Sequence, residues 1–363
     1  MQTLPKKPLV LVTGASGLIG ARTADRLAND YRVIGLDRPG LPHPPLSADN
    51  VPCDISSDGS VNDALSFIRK KYGPDLSSII HLAAYFDFSG EPSPKYREVT
   101  VEGTRRLLRG LHTLQFQVEQ FVFSSTMLVH APCEPGQAIN ENWPLDPRWA
   151  YPQSKVETEK LIQAERGSIP VVILRIAGVY DDLCHSIPLA HQIERIYERH
   201  ITSKMFPGHL AHGQSFLHLE DLVDAIITVI DRRRTLSPSY TLLLGEPEPL
   251  SYDELQHQFG RLLHNEEWET VQIPKAMAKT GAWMQDAMPL MEDPFIKPWM
   301  IDFADDHYAL DISRAKACLD WKPTRSLRDT LPKMIEAFKW DPEAWYREHH
   351  LSLPANLESH QES

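Results

Sequence analysis

The hydrophobic positions of the chain fall into two alternating kinds of run. Short, continuous apolar stretches rich in β-branched residues predict strands buried on both faces. They are Leu9 to Gly14 (LVLVTG), Tyr31 to Asp37 (YRVIGLD), Ser77 to Ala84 (SSIIHLAA), Glu119 to Thr126 (EQFVFSST) and Pro170 to Tyr180 (PVVILRIAGVY). Between them lie segments with helical spacing: GLIGARTADRLAND, SDGSVNDALSFIRKKY, SPKYREVTVEGTRRLLRGL and YPQSKVETEKLIQAE. Strands alternating with helices predict an α/β fold, a Rossmann-type doubly wound parallel sheet with helices on both faces. A proline-rich loop, Pro39 to Pro45, follows the second strand and is long enough to curl over a ligand. Beyond Val179 the pattern loosens. SFLHLEDLVDAIITVIDRRR predicts a long amphipathic helix, SYTLLLG one more strand, and residues 246–339 a smaller mixed segment rich in Trp, Met and Pro.

Composition narrows the class. A chain of 363 residues, 42% hydrophobic and 24% charged, is globular and has room for one extended α/β domain or two smaller ones sharing a core. A net charge of −12 argues against a nucleic-acid surface and against binding to anionic membranes. The four cysteines (Cys53, Cys133, Cys184, Cys318) form no C-x-x-C pair, which fits neither a disulfide framework nor a zinc site but suits a reducing cytosol. The sixteen histidines show no ligand spacing, so no metal site is expected. No secretory leader and no membrane span is read, and the expectation is a soluble cytoplasmic protein.

Candidate chemistry begins at the first strand–helix turn. Gly14, Gly17 and Gly20 form a G-x-x-G-x-x-G loop, in which glycine permits a tight turn and lets backbone approach a pyrophosphate at a helix N-terminus. Ser16, Leu18 and Ile19 complete that loop. Asp37 ends the second strand about twenty residues on, where a carboxylate accepts from an adenosine ribose diol; this favours NAD over NADP, although the adjacent Arg38 could receive a 2′-phosphate. Asp54 either accepts from the adenine amino group, with Ile55 flanking the ring, or N-caps the following helix. Tyr151 and Lys155 stand four residues apart. A phenol has a pKa of about 10, so a base working near neutrality needs a drop of about three units, roughly 4 kcal/mol, which one cation at about 4 Å supplies at an effective dielectric of about 20. Pro152 is acceptable as the first helical residue, which puts Tyr151 at the helix boundary.

Together these residues resemble the extended short-chain dehydrogenase/reductase family, which includes the NAD-dependent epimerases and dehydratases. The marks occur in order to about residue 335: TGASGLIG, Asp37, CDI, HLAA (His81 to Ala84), VEGT, FSST, Tyr151-x-x-x-Lys155, LRIAGVY, SFLHLEDLVDAI (His218, Asp221) and DISRAKACLDWKPTRSLRDTL. The resemblance implies Tyr151 as general base, Thr126 as anchor of the reacting hydroxyl, and Lys155 as the residue on the nicotinamide ribose. It places Leu82, Ala83, Ala84, Thr100, Ser124, Ile176 and Val179 around the cofactor. It implies an NAD-binding Rossmann domain over residues 1–178 to which 215–245 folds back, a smaller mixed α/β substrate domain from 179–214 and 246–345, and a polar tail over 346–363. It also implies a homodimer through the helices around Val99 to Leu111 and Tyr151 to Ala164. His218 and Asp221 read as an N-cap followed by first-turn acids, in a segment the family uses near the substrate mouth.

Three departures bear on the substrate. Thr100 stands where the family commonly has Asn, Gly178 where nucleotide-sugar members usually place Asn, and Met127 follows Thr126 where sugar 4,6-dehydratases carry an acid, which argues against dehydration. The segment Ile273 to Asp306 carries Met277, Trp283, Met284, Met288, Met291, Phe295, Trp299 and Met300. Such residues form either a small hydrophobic core or a surface for an apolar ligand, and the segment is similar to the 3β-hydroxysteroid dehydrogenase-like branch. The expected function is NAD(P)-dependent hydride transfer at a secondary alcohol or ketone carbon of a small-molecule substrate. The alternatives are a nucleotide-sugar epimerase with tightly bound NAD and a non-catalytic NAD-binding regulatory protein.

Overall fold

The computed structural model of the protein describes residues 7–41, 44–87, 91–286, 296–354 and 357, with backbone alone for 281–286. Pro42 and His43 of the proline-rich loop, and Met288, Met291 and Phe295, lie outside the described residues. Seven strands form one parallel sheet: β1 (Leu9–Thr13), β2 (Arg32–Asp37), β3 (Asp49–Pro52), β4 (Ser78–His81), β5 (Phe121–Thr126), β6 (Val171–Ile176) and β7 (Ser239–Leu244). Their spatial order is β7-β6-β5-β4-β1-β2-β3, every pairing parallel. The order reverses between β1 and β4, and ligands of doubly wound sheets bind at that switch point, beyond the strands' C-terminal ends.

The continuous apolar runs follow from the two-sided burial. Residues 9–13, 121–126 and 171–176 are buried throughout, because helices cover both faces. On one face α1 (Leu18–Leu27) packs beside α6 (Leu219–Asp231) over Val10, Val12, Val122 and Leu174. The other face is covered by α2 (Asp58–Tyr72), α3 (Glu102–Thr113) and α4 (Ala150–Glu165), over Leu11, Phe121, Phe123 and Ile173. A π-helical turn, Tyr96–Val101, leads straight into α3 and packs on α4.

The strand expected over Pro170 to Tyr180 is two. After β6 a short strand, Gly178–Tyr180, turns away to pair with Phe216–His218. The remaining helices are α5 (Ile187–Tyr197), α7 (Tyr252–His264), α8 (Lys275–Asp286), α9 (Pro298–Asp302), α10 (Ser313–Leu319), α11 (Leu327–Trp340) and α12 (Pro342–Glu348). Helices α5, α7, α11 and α12 enclose a third core around Tyr180, Phe259, Trp268 and Phe338. Tyr308, Leu310, Ile312, Ala315 and Trp321 instead join the main-sheet core. The polar tail expected from residue 346 begins later, because Tyr346 is fully buried and its hydroxyl donates to Glu198 at 2.7 Å.

Candidate active site

The glycine loop is built for close approach. Gly14 has φ +70, and a Cβ there would stand 2.9 Å from the Ala83 nitrogen; a Cβ on Gly20 would stand 2.0 Å from the Gly14 carbonyl oxygen. Gly17 is the N-cap of α1, and no side chain caps its first turn, so the amides around Leu18 and Ile19 head a helix end suited to an anion. Asp37 sits beside this loop at the end of β2. One carboxylate oxygen accepts from the Ser16 amide at 2.9 Å and the other from the Arg38 amide at 2.8 Å. The Arg38 side chain points to solvent. Loop, helix end and carboxylate together fit an adenine dinucleotide with its pyrophosphate at Gly14 to Ile19 and a ribose diol at Asp37.

Asp54 is not the N-cap of α2. It accepts from the Ser56 amide and hydroxyl at 2.9 and 2.6 Å, while Ser57 caps α2. Those hydrogen bonds hold its carboxyl below the usual range. Ile55 is core, packed where a side chain on Gly103 would otherwise go.

On the other side of the switch point, three consecutive residues of β5 each engage one turn of α4. The Thr126 hydroxyl lies close enough to the Tyr151 hydroxyl to favour the ionised phenol, and Thr126 Oγ1 accepts from the Leu128 amide at 3.3 Å. Lys155 Nζ donates to the Ser124 carbonyl at 2.7 Å. Ser125 Oγ donates to Glu159 at 2.5 Å. Tyr151, Lys155 and Glu159 are spaced i, i+4, i+8 and so form one stripe along the helix. Trp149 is the N-cap and Ala150 the first helical residue, so Tyr151 lies inside the first turn, not at its boundary. Pro152 still costs no hydrogen bond, because the amides of the first turn have no intrahelical partner.

The electrostatics run opposite to the expectation for an activated phenol. Burial pushes the Tyr151 hydroxyl above its ordinary value, Tyr96 adds to the rise, and the nearby Thr126 hydroxyl opposes it. Burial also pulls Lys155 down to about 7, with Glu159 opposing. The ammonium lies 5.6 Å from the Tyr151 ring centroid and 5.0 Å from that of Phe123. Desolvating both groups therefore outweighs their mutual attraction in the protein alone.

The other predicted residues divide between the cleft and its supports. Leu82, Ala83 and Ala84 are half-buried beyond β4, and the Ala83 amide donates to Thr13 Oγ1 at 3.2 Å. His81 is fully buried between Thr13 and Thr104, at 2.7 and 2.8 Å, and burial together with Lys155 pulls it down to about 3. It is a neutral support. Thr100 is likewise buried, accepting from the Tyr85 amide at 3.0 Å. Ser124 donates its hydroxyl to the His81 carbonyl at 3.3 Å. Ile176 pairs with Thr126 across the sheet and is 6% exposed, while Val179 is half-buried in the short strand. A Cβ on Gly178 would stand 2.9 Å from the Phe216 ring, which fills the place a larger side chain would take. His218 is the N-cap of α6, its Nδ1 accepting from the Glu220 amide, and Asp221 binds residues 324 and 325.

Two groups escaped the sequence reading. One is an aromatic wall at Tyr151, of which only Trp299 had been singled out, within a possible apolar-ligand surface: Phe86 meets the Tyr151 ring edge-on at 4.7 Å, Trp149 lies at 5.4 Å, and Trp299 of α9 lies tilted against Trp149 at 5.1 Å. These rings come from three distant segments, so no local pattern announces them. The other is the buried Glu159–Arg175 pair, for which a signal existed: an arginine inside the apolar run VVILRI must find a partner.

Residues 10–245 match the profile of the NAD dependent epimerase/dehydratase family. Over 350 residues the chain is 27% identical to YtcB of Bacillus subtilis, described as an uncharacterized UDP-glucose epimerase, covering 90% of this chain and 96% of that one. It is 25% identical over 348 residues to the UDP-glucose 4-epimerase of Vibrio cholerae, covering 92% and 96%. Among solved structures, the UDP-glucose 4-epimerase of Thermotoga maritima with UDP-glucose superimposes with a TM-score of 0.67 at 20% identity, over 92% of this chain and 99% of that one. With its cradle for a dinucleotide and its seven-stranded parallel sheet, this chain belongs to the NAD-dependent epimerase/dehydratase family of extended short-chain dehydrogenases/reductases.

Proposed function

We propose that the protein is a UDP-hexose 4-epimerase that works through transient oxidation of a secondary alcohol. The observation that carries this reading is the buried Lys155, seated on the Ser124 carbonyl 5.6 Å from the Tyr151 ring, with Thr126 two residues on along the same strand. The choice of substrate is supported by two relatives matched over nearly their full length and described as UDP-glucose epimerases; they favour epimerisation over the net dehydrogenation expected first. In this scheme Thr126 orients the substrate's hydroxyl and Tyr151 takes its proton, then returns it when the ketone is reduced from the opposite face. NAD, when bound, supplies the hydride acceptor and an additional positive charge that favours the ionised phenol. Gly14, Gly17, the amides of Leu18 and Ile19, Asp37 and Lys155 are the residues proposed to hold it; the Asp37 carboxylate would meet a 2′-phosphate as a like charge, which leaves NADP the weaker candidate although Arg38 stands exposed beside it.

The test is direct. Purified protein should carry or bind NAD and interconvert UDP-glucose and UDP-galactose without net NADH formation. Tyr151→Phe should lower kcat by about 10²–10⁴ while NAD binding stays within twofold. A fully active Tyr151→Phe protein would refute the assignment.

A second reading, dehydrogenation of an apolar secondary alcohol, has a specific observation behind it. The wall of Phe86, Trp149 and Trp299, with Phe216 packed at Gly178, makes the mouth aromatic. Stoichiometric NADH from a sterol or flavonoid-like alcohol, with no turnover of UDP-hexoses, would select it.

Pairing of two copies through α3 and α4 belongs to the same proposal. Arg97 of the π-helical turn pairs with Glu157 of α4, and Arg105 of α3 with Glu165 of α4, so any dimer there would be polar. Light scattering at micromolar concentration decides it, and a strictly monomeric protein counts against pairing. A cytoplasmic location is the matching expectation, supported by four free cysteines. Among the described residues no helix is long and apolar enough to cross a membrane.

A further inference from the structure

Glu159 lies one helical turn beyond Lys155 on the stripe of α4 that faces the sheet, and it is 6% exposed. Three donors fix its carboxylate: Ser125 Oγ at 2.5 Å, and Arg175 Nε and Nη2 at 3.1 and 2.7 Å. Arg175, 7% exposed, is held in turn by the Glu141 carbonyl at 3.2 Å and by Nε2 of His130 at 3.0 Å. His130 must accept from Arg175 there. Its Nδ1, 3.1 Å from the Trp143 carbonyl, is then the protonated nitrogen, so the ring is neutral. Burial and the neighbouring guanidinium agree, pulling His130 down to about 4.

The network is anchored through strand register. Ser125 is paired with Arg175 across β5 and β6, and its neighbour Ser124 offers the carbonyl that receives the Lys155 ammonium. Lys155 thus touches β5 directly, while Glu159 is bolted to β5 and β6 one turn on. The charged and titratable groups facing Lys155 are Tyr151 and Glu159 on its own helix and His81 on β4; Tyr96 of the π-helical turn acts on Tyr151, and Arg175 acts through Glu159. Of these, Glu159 is the one anion. An ammonium sealed from water with a single carbonyl contact needs such a counter-charge.

We infer that Glu159 is a positioning residue for Lys155: clamped by Ser125 and Arg175, its carboxylate keeps the lysine charged and seated on the Ser124 carbonyl. The inference deepens the reading of Lys155 as the cation beside the base and rests on it. Arg175 shares the charge of Glu159, so a purely structural role is the competing explanation. In that case Glu159 exists to neutralise Arg175, and its loss moves stability alone.

The deciding measurement is the protonation of Lys155, independent of turnover. Trace labelling with acetic anhydride across a pH series, read on the Lys155 peptide by mass spectrometry, reports the neutral amine fraction. Glu159→Gln should lower the labelling midpoint by about one pH unit, a tenfold change in neutral fraction at fixed pH. The alkaline edge of the turnover profile should move down with it, and Glu159→Asp should restore most of the shift. A Glu159→Gln protein with an unchanged midpoint and only a lower Tm would overturn the inference. If Glu159→Gln does not fold, Ser125→Ala takes its place, because it loosens the clamp without leaving a buried charge; a lowered midpoint supports the inference and an unchanged one overturns it. A shifted midpoint in a protein that turns over no UDP-hexose would sink the proposed substrate and leave the role of Glu159 standing.

Discussion

Gly14 and Ala83 approach so closely that a Cβ on the glycine would stand 2.9 Å from the Ala83 nitrogen. The contact joins the β1–α1 turn to the segment after β4, across the switch point of the sheet. Gly14 also has φ +70, where a side chain is strained whatever space surrounds it. Gly14→Ala should therefore cost about 1–3 kcal/mol of stability and weaken NAD binding at least tenfold. Gly17→Ala is the control for stability alone, because a Cβ there meets only the Gly14 carbonyl at 3.4 Å. Thermal melts of both variants check the contrast in stability, and NAD titration of Gly14→Ala checks the loss of binding.

Asp221 ties the end of the chain to the dinucleotide half. Only 1% exposed, it accepts from the Thr324 amide and hydroxyl at 3.0 and 2.7 Å, and from the Arg325 amide and guanidinium at 2.9 and 2.8 Å. Asp221→Ala leaves those donors without their acceptor and should cost about 3–5 kcal/mol. Urea unfolding should show a lower midpoint with an unchanged slope. A cost below about 1 kcal/mol would mean that water replaces the carboxylate freely.

His185 makes the fold sensitive to alkali. Its ring nitrogens meet Asp181 at 2.6 Å and Glu348 at 2.8 Å, so both donate and the ring is cationic. The Asp181 hydrogen bond is the main cause that raises it from 6.5 to about 9, with burial opposing. A raised folded-state value stabilises fully below pH 6.5 and loses its effect as pH climbs towards 9. At full strength the shift is worth roughly 3 kcal/mol, and solvent around a quarter-exposed ring reduces that to about 1–2 kcal/mol. Tm should fall across that window in the native protein, while His185→Gln should be less stable at neutral pH and flat through it.

Much of the fold was legible because its strands are buried on both faces. That burial writes β1, β2, β5 and β6 as unbroken apolar runs, and the glycine loop and Asp37 fall at their ends for steric reasons any reader can reconstruct. The short strand β3 (DNVP) has only Val51 buried, so no apolar run marks it. The start of α4 was placed two residues too late, at Pro152 instead of Ala150, because a local rule about prolines was set against helix packing, and packing prevailed. The direction of the Tyr151 proton affinity was missed for a different reason. Spacing to Lys155 reveals the neighbouring charge but not how far both groups are removed from water, and here desolvation is the larger effect. The aromatic wall is the least readable part, since Phe86, Trp149 and Trp299 meet only after the chain has folded.

The C-terminal third is not hung on a single linker. The chain re-enters the main sheet as β7, returns again to bury Tyr308 through Trp321 in the main core, and is fastened a third time by Asp221. Three separated attachments leave no axis about which two halves could swing as rigid bodies, because rotation about one attachment would break the others. Access to the proposed site is then expected to follow local rearrangement of the rings beside Tyr151, among them Trp149 and Trp299 of α9, and not the opening of a jaw.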